Sequence, residues 1–451
     1  MAFGFFKKTQ AADIIFHNGH IYTHDPDFPW AEAVACTDGK ISAVGDFDAM
    51  DSFNGKHTEL VDLGGKFLFP GFIDAHRSPV LKVFEGKYLD LTGCETTDDI
   101  LSGVRAWASI HPDMEILFGY GFREDLEPEQ EQLDACCADR PVVLLAASGI
   151  GCAVNTASDQ IIQETAEEEC VDVITVNYVL NLLMPFDFEE IEADVAKTLE
   201  TLSRQGVTTV LNLQTPDYFE GLYQDSMVAL YNEGNLSQRF FGSYFMNRPL
   251  KPRGLIHQMM RRKTNCSELS GMVQANMLNV YLDEKTCPME FPQEALNEIL
   301  LDVADKGFHI FMEAADEADV KKAHEALEVL RNKGYKNEIT IASDVVLVAE
   351  AMQHLEHCGE VHTTWQTNWQ AGHPVAAECV SVEEAIEEMT TRAAKIIGME
   401  SQLGRIEKGR LADFTIFVEN PLDKTLADFS HMHAAMTVLS GEIVYDEGTA
   451  L

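Results

Sequence analysis

Side chains able to do chemistry are sparse in this sequence. His76 closes the run FLFPGFIDAH, where a strand would end. A lone imidazole makes a poor metal site, because structural and catalytic zinc take three or four protein ligands. A satisfied interior histidine is the favoured reading. His309, His362 and His373 could assemble a metal site elsewhere. His309, however, is read one residue out of phase with the inward face of its strand, and the other two fall between Ser343 and Glu383. The adjacent thiols Cys136 and Cys137, and Cys379, lack the His and Asp context that would activate a thiolate. Trp365 and Trp369 are candidates for a pocket wall, although packing is the commoner use of such a pair.

Charge narrows the partners. The 451 residues carry 33 Lys plus Arg against 74 Asp plus Glu, a formal charge of −41. Such a surface repels phosphate backbones and anionic headgroups, so neither nucleic acid nor a membrane is an expected partner. Solubility is the plain account of the acidity. With 46% hydrophobic and 24% charged residues, the chain has the balance of a folded globular protein. It has no run of eighteen apolar residues. The opening MAFGFFKKTQAADIIF puts its lysines after a short apolar patch, the reverse of a signal peptide. The ten cysteines show no CxxC pairing and read as reduced, mostly buried thiols. A cytoplasmic protein is expected.

The elements that must position these residues fall into two kinds. The first 68 residues are rich in β-branched side chains and carry the turn dipeptides Asn18-Gly19 and Asp38-Gly39. The last 50 residues, with ADFTIFVENP and AMTVLSGEIVYDEG, repeat the pattern around Ser440-Gly441. Neither end is large enough for a good core, so residues 11–68 and 400–451 are expected to form one discontinuous β-domain. Between them, residues 69–399 alternate apolar runs with amphipathic helices. The candidate strands are FPGFIDAH, MEILFGYG, RPVVLLAA, GVTTVLNLQ, FFGSYFM, MLNVYLDE, GFHIFMEA and EITIASD. Helices such as DFEEIEADVAKTLETLSRQG end at glycine. The alternation predicts α/β structure, a (β/α)₈ TIM-like barrel rather than an open sheet.

FLFPGFIDAHRS resembles the first barrel strand of the amidohydrolase superfamily, where a β-domain hands over to the barrel. The flanks are similar to the branch called amidohydrolase family 3, which includes N-substituted formamide deformylases. ADIIFHNGHIYT, AEAVACTDGKISAVG, GYGFRED, LDACCADRPVVLLAASG, SRQGVTTV and GRIEKGRLADF all follow that branch, and the likeness runs over essentially the whole chain. The resemblance implies hydrolysis at one or two divalent metals, zinc or another, at the C-terminal mouth of the barrel, and a homodimer.

Carried over residue by residue, the metal set is degenerate. The family's His-x-His pair reads His76-Arg77-Ser78, and a hydroxyl is a poor ligand for a borderline-soft ion. The carboxylated lysine falls on Asn279, which cannot be carboxylated. The next histidine falls on Met312, or on Glu313 if the alignment slips by one, and the following one on Ser343. A substrate-side histidine falls on Ile150, and Asn155 lies near the same pocket. Asp74 and Asp413 match the family in structural roles: Asp74 orienting the first strand, Asp413 turning the returning β-domain. Between Ser343 and Glu383 stand 39 residues, where two βα units need about 70, so the barrel is expected to be abbreviated near strands seven and eight. No metal cofactor is expected. Two readings remain open: a pseudoenzyme kept for binding, assembly or regulation, with room for a small-molecule ligand, or a hydrolase of non-peptide C–N bonds with an atypical mononuclear or metal-free site.

Overall fold

A computed structural model describes residues 10–77, 86–147, 151–169, 174, 176–184, 188–213, 217–246, 252–269, 271–282, 292–314, 316–337, 339–342 and 381–448, with the side chains of 75–77, 124, 177, 217–223 and 252–253 outside that description. The N-terminal stretch supplies β1 (Ile14–His17), β2 (His20–Tyr22), β3 (Trp30–Ala31), β4 (Ala33–Thr37), β5 (Lys40–Gly45), β6 (Glu59–Asp62) and β7 (Phe67–Pro70). Asp38-Gly39 makes a two-residue hairpin between β4 and β5. Both turn residues are left-handed, at φ 49° and 72°, and Thr37 faces Lys40. Asn18-Gly19 does not make the hairpin that its dipeptide suggests. β1 pairs with β4 and β6, whereas β2 pairs with β3 and β7, so this turn carries the chain from one sheet to the other. Close packing explains the glycine: a Cβ there would lie 2.5 Å from Leu63 Cδ1 and 2.9 Å from the Lys66 carbonyl.

The central region supplies β8 (Phe72–Arg77), β9 (Leu89–Asp90), β10 (Leu117–Phe122), β11 (Val142–Ala146), β12 (Cys152–Val154), β13 (Val207–Asn212), β14 (Arg239–Met246), β15 (Val273–Leu282), β16 (His309–Ala314) and β17 (Ile339–Ala342). Six of these form one parallel sheet, ordered β17-β16-β15-β14-β13-β8. MEILFGYG and RPVVLLAA, read from sequence as barrel strands, become β10 and β11 of a separate sheet, β12-β11-β10-β9. β8 pairs directly with β13 instead. Local pattern could not separate these cases, because every residue of β11 and of β13 is buried, and the choice of sheet is a long-range one.

The parallel sheet curls. Inward residues from all six strands (Ile73, Leu211, Phe241, Met277, Phe311 and Ala342) share one cluster with Ala393, Ala394 and Ile397 of the C-terminal helical segment. The alternate residues, including Leu278, Val280, Ile310, Met312 and Ile341, pack against the helices Gln293–Asp305 and Glu317–Asn332. Those two helices, and Phe188–Arg204, are followed by left-handed glycines: Gly307, Gly334 and Gly206.

The C-terminal strands β18 (Phe414–Phe417), β19 (Met436–Leu439) and β20 (Glu442–Asp446) return to the first sheets, giving the order β20-β19-β18-β7-β2-β3. Phe16, Val34 and Cys36 from the other N-terminal sheet share a core with Leu68, Phe414, Ile416 and Val438. Asp413 ties this unit to the parallel sheet. Its carboxylate accepts the Ser440 N–H at 2.8 Å in the left-handed Ser440-Gly441 turn, and it pairs with buried Arg239 of β14 at 3.1 Å. Losing one partner of such a pair typically costs about 3–5 kcal/mol.

Candidate functional site

The inner face of the parallel sheet holds the one constellation that the family ligand positions bring together among the described residues. In register, Asn279 lies opposite Phe311 and Tyr281 opposite Glu313. Because Leu278, Val280, Ile310 and Met312 face the helices, alternation turns Asn279, Phe311 and Glu313 inward. Asn279 is fully buried, and Glu313 is only 6% exposed. The Asn279 amide donates to Glu313 Oε1 at 2.7 Å. Met312, aligned with a ligand position, sits instead in the apolar sheet–helix layer, fully buried. Glu313 is the residue that reaches the inner face.

Glu313 brings one carboxylate to this face, and its Oε1 accepts the Asn279 N–H; the amide's own Oδ1 is the other oxygen of the pair. Among the described residues, no three His, Cys, Asp or Glu side chains stand close enough together to hold a metal. Ser78, Ile150, Ser343, His362, Trp365, Trp369, His373 and Cys379 lie outside the described residues, and His76 is described only as part of β8.

His309, read as out of phase, shares by alternation the face of Phe311 and Glu313. It stands at the opposite end of β16, and a Cβ on Gly398 would come within 2.5 Å of its ring. Burial there holds its imidazole below the usual range, with Lys263 acting in the same direction. Asn155, expected near a pocket, is a fully buried helix N-cap. Its Oδ1 accepts from Val142 and Ser158 N–H, both at 3.0 Å, and its Nδ2 donates to the Cys137 and Arg140 carbonyls, both at 2.8 Å. Burial pushes the Cys136 and Cys137 thiols up, away from thiolate chemistry. Asp74 is buried in β8.

Sequence reasoning missed a second concavity. A cleft of about 890 Å³ opens between the β2–β3 region and the helix Val382–Glu387, lined by Tyr22, His24, Trp30, Glu383, Glu387 and Arg405 among others. The lining comes from four separated stretches, and no local motif links them.

The sequence profile of the amidohydrolase family matches residues 59–353 and 361–445. The amidohydrolase-type protein YtcJ of Bacillus subtilis is 22% identical over 532 residues, covering 96% of this chain and 99% of that one. The exoenzymes regulatory protein AepA of Pectobacterium carotovorum is 33% identical over 150 residues, so the chain spans only 32% of that relative's length. A metal-dependent hydrolase structure from Pyrococcus horikoshii superposes with a TM-score of 0.61 at 16% identity, covering 93% of this chain and 99% of the other. A zinc-bound adenosine deaminase from Xanthomonas campestris gives 0.58 at 11% identity, covering 98% and 95%. At such identities the structures speak for the fold alone. With a profile matched along most of its length and a curled parallel sheet to carry it, the chain belongs to the amidohydrolase family.

Proposed function

We propose that this chain is a catalytically inactive member of its family, retaining the scaffold for binding, assembly or regulation. The Asn279–Glu313 hydrogen bond carries the reading. At the position matched to the family's bridging lysine stands an amide, and it engages the carboxyl beside it. A Lewis acid needs a ligand set to hold it, and replacing nearly all of that set removes the means of activating water. AepA bears the name of a regulatory protein, which is in keeping with a role other than turnover. The fold proposal goes with it: a β-sandwich from residues 11–68 and 400–451, and a barrel over 69–399 abbreviated after its sixth strand. β17 ends at Ala342 and the next described helix begins at Val382, so 382 − 342 − 1 leaves 39 residues for strands seven and eight. The assembly we propose is a homodimer, in the cytoplasm.

One observation favours the alternative, a hydrolase of non-peptide C–N bonds with an atypical mononuclear or metal-free site. Glu313 is an inward carboxylate that could serve as a base or a single ligand. Elemental analysis of the purified protein, followed by assays on formamides and N-acyl amino acids with added Zn²⁺, separates the two. We expect no stoichiometric Zn, Mn, Fe or Ni and no turnover. One metal per chain, lost on His76→Ala, together with metal-dependent turnover, would hand the case to the hydrolase.

A further inference from the structure

The cleft beside β2 is built from complementary groups. Tyr22 and Trp30 form one wall, their ring centroids 5.2 Å apart, and Trp30 is 37% exposed. Across from them run Glu383 and Glu387, one helical turn apart, where like charges repel. Both carboxylates act on the Tyr22 hydroxyl, which burial and their charge together hold above its usual pKa. Among the described residues Glu383 has no ion-pair partner, and Glu387 shares Arg392, at 3.6 Å, with Glu388. Arg405, also on the cleft, makes no ion pair among the described residues. Lys424 at the edge is already paired with Glu419.

His24 also lines the cleft; burial holds its imidazole below the usual range, with Glu387 drawing it up and Arg405 pushing it down. Its backbone is left-handed, φ 61°, which is uncommon for a residue other than glycine and is seen at ligand sites. Its Nδ1 stands 3.3 Å from Thr390 Oγ1, a hydrogen bond that restrains the ring. The cleft's volume is that of a small-molecule site.

This place is apart from the inner face of the sheet. Phe72, the first residue of β8, packs in one cluster with Tyr22, Val382 and Phe429, so the cleft adjoins the N-terminal end of that strand. Asn279 and Glu313 lie in the C-terminal halves of β15 and β16.

We propose that the cleft binds a small zwitterion, with its ammonium group between the carboxylates of Glu383 and Glu387 and the faces of Tyr22 and Trp30, and its carboxylate on Arg405. The aromatic faces attract a cation through their quadrupole. Glu383 gains a counter-charge and Glu387 a second one beside Arg392, and the guanidinium of Arg405 offers a two-pronged donor to the anionic end.

The test uses the full chain at low salt, with calorimetric titration and thermal melts. The probes are γ-aminobutyrate, glycine betaine and L-lysine as zwitterions, choline as cation alone and acetate as anion alone. We expect at least one zwitterion to bind saturably and to raise Tm with concentration by mass action. Choline and acetate should bind at least tenfold more weakly. Glu383→Gln with Glu387→Gln, and separately Arg405→Ala, should each weaken the zwitterion at least tenfold. The ligand-free melt of each variant shows that it is folded. No saturable binding by any of the three zwitterions, or unchanged affinity in both variants, overturns the proposal. Binding heats here do not depend on metal content or turnover, so this outcome is separate from that of the catalytic question.

Discussion

Met312 and Glu313 are neighbours in sequence that face opposite layers. Alternation places Met312 among Leu278, Val280 and Ile310, and Glu313 beside Asn279. The sequence offered both as matches to one ligand position and held no mark to choose between them. From Ile310 to Ala314 every residue of β16 is buried, so the polar–apolar rhythm that normally reports strand facing is absent. Substitution can read the facing directly. Met312→His puts an imidazole into an apolar layer without a partner, which costs about 1–3 kcal/mol in addition to the lost packing. Glu313→His keeps a polar group on the inner face, where an imidazole nitrogen can still accept the Asn279 N–H and the apolar layer stays intact. Urea unfolding of the two variants should show Met312→His as the more destabilised. The reverse order means the register assigned to β15 and β16 is wrong.

Elements were legible where local chemistry decides them and illegible where pairing does. Asp38-Gly39 and Ser440-Gly441 are hairpin turns because both residues of each dipeptide adopt the left-handed region that such turns require. Asn18-Gly19 has the same local credentials but answers to Leu63 packed against it. The helix after Ser381 shows the same limit. Its continuation, Glu388–Arg392, widens into a π-helical turn that EMTTR does not announce, packed against Gly404, where a Cβ would meet the Thr390 carbonyl at 2.9 Å. Glu388 opens that turn, and its carboxyl is pushed up to about 7 from 4.5 by burial, against the pull of Arg392 and with the repulsion of Glu387 and Glu384. The folded chain therefore holds this proton more tightly than the unfolded one. Its stabilising effect is full below about pH 4.5 and is lost as pH rises through about 7. Glu388→Gln should flatten this part of the pH profile and be the more stable protein at pH 8. The difference should be a few kcal/mol at most, since a tenfold change in proton affinity is about 1.4 kcal/mol. Urea midpoints of both proteins from pH 4.5 to 8 give the comparison. A wild-type slope that persists in the variant removes Glu388 as its source.

At the scale of the whole molecule, the charge is a force on the fold as well as a filter on partners. If every Lys and Arg took one acid, 33 pairs would form and 74 − 33 = 41 carboxylates would remain without a cation. The two effects of salt then oppose each other unequally. Added salt weakens exposed ion pairs such as Lys87–Glu190, at 2.7 Å, but such pairs contribute only about 0–1 kcal/mol each. It also screens repulsion among the excess carboxylates, which acts over many pairs at once and destabilises the compact state. Raising NaCl from about 10 mM to about 1 M shortens the screening length from about 30 Å to about 3 Å, less than the spacing of most surface charges. Repulsion acts between more pairs of charges than attraction does, so the melting temperature should rise steadily with NaCl and level off once neighbours are screened. KCl should act equally, because screening depends on ionic strength and not on the ion. Sucrose matched in osmolality should not reproduce the levelling, since it stabilises by exclusion from the surface and has no screening limit. A Tm that is flat or falling between 10 mM and 1 M salt would mean that the ion pairs outweigh the excess charge and that the acidity does not strain the fold.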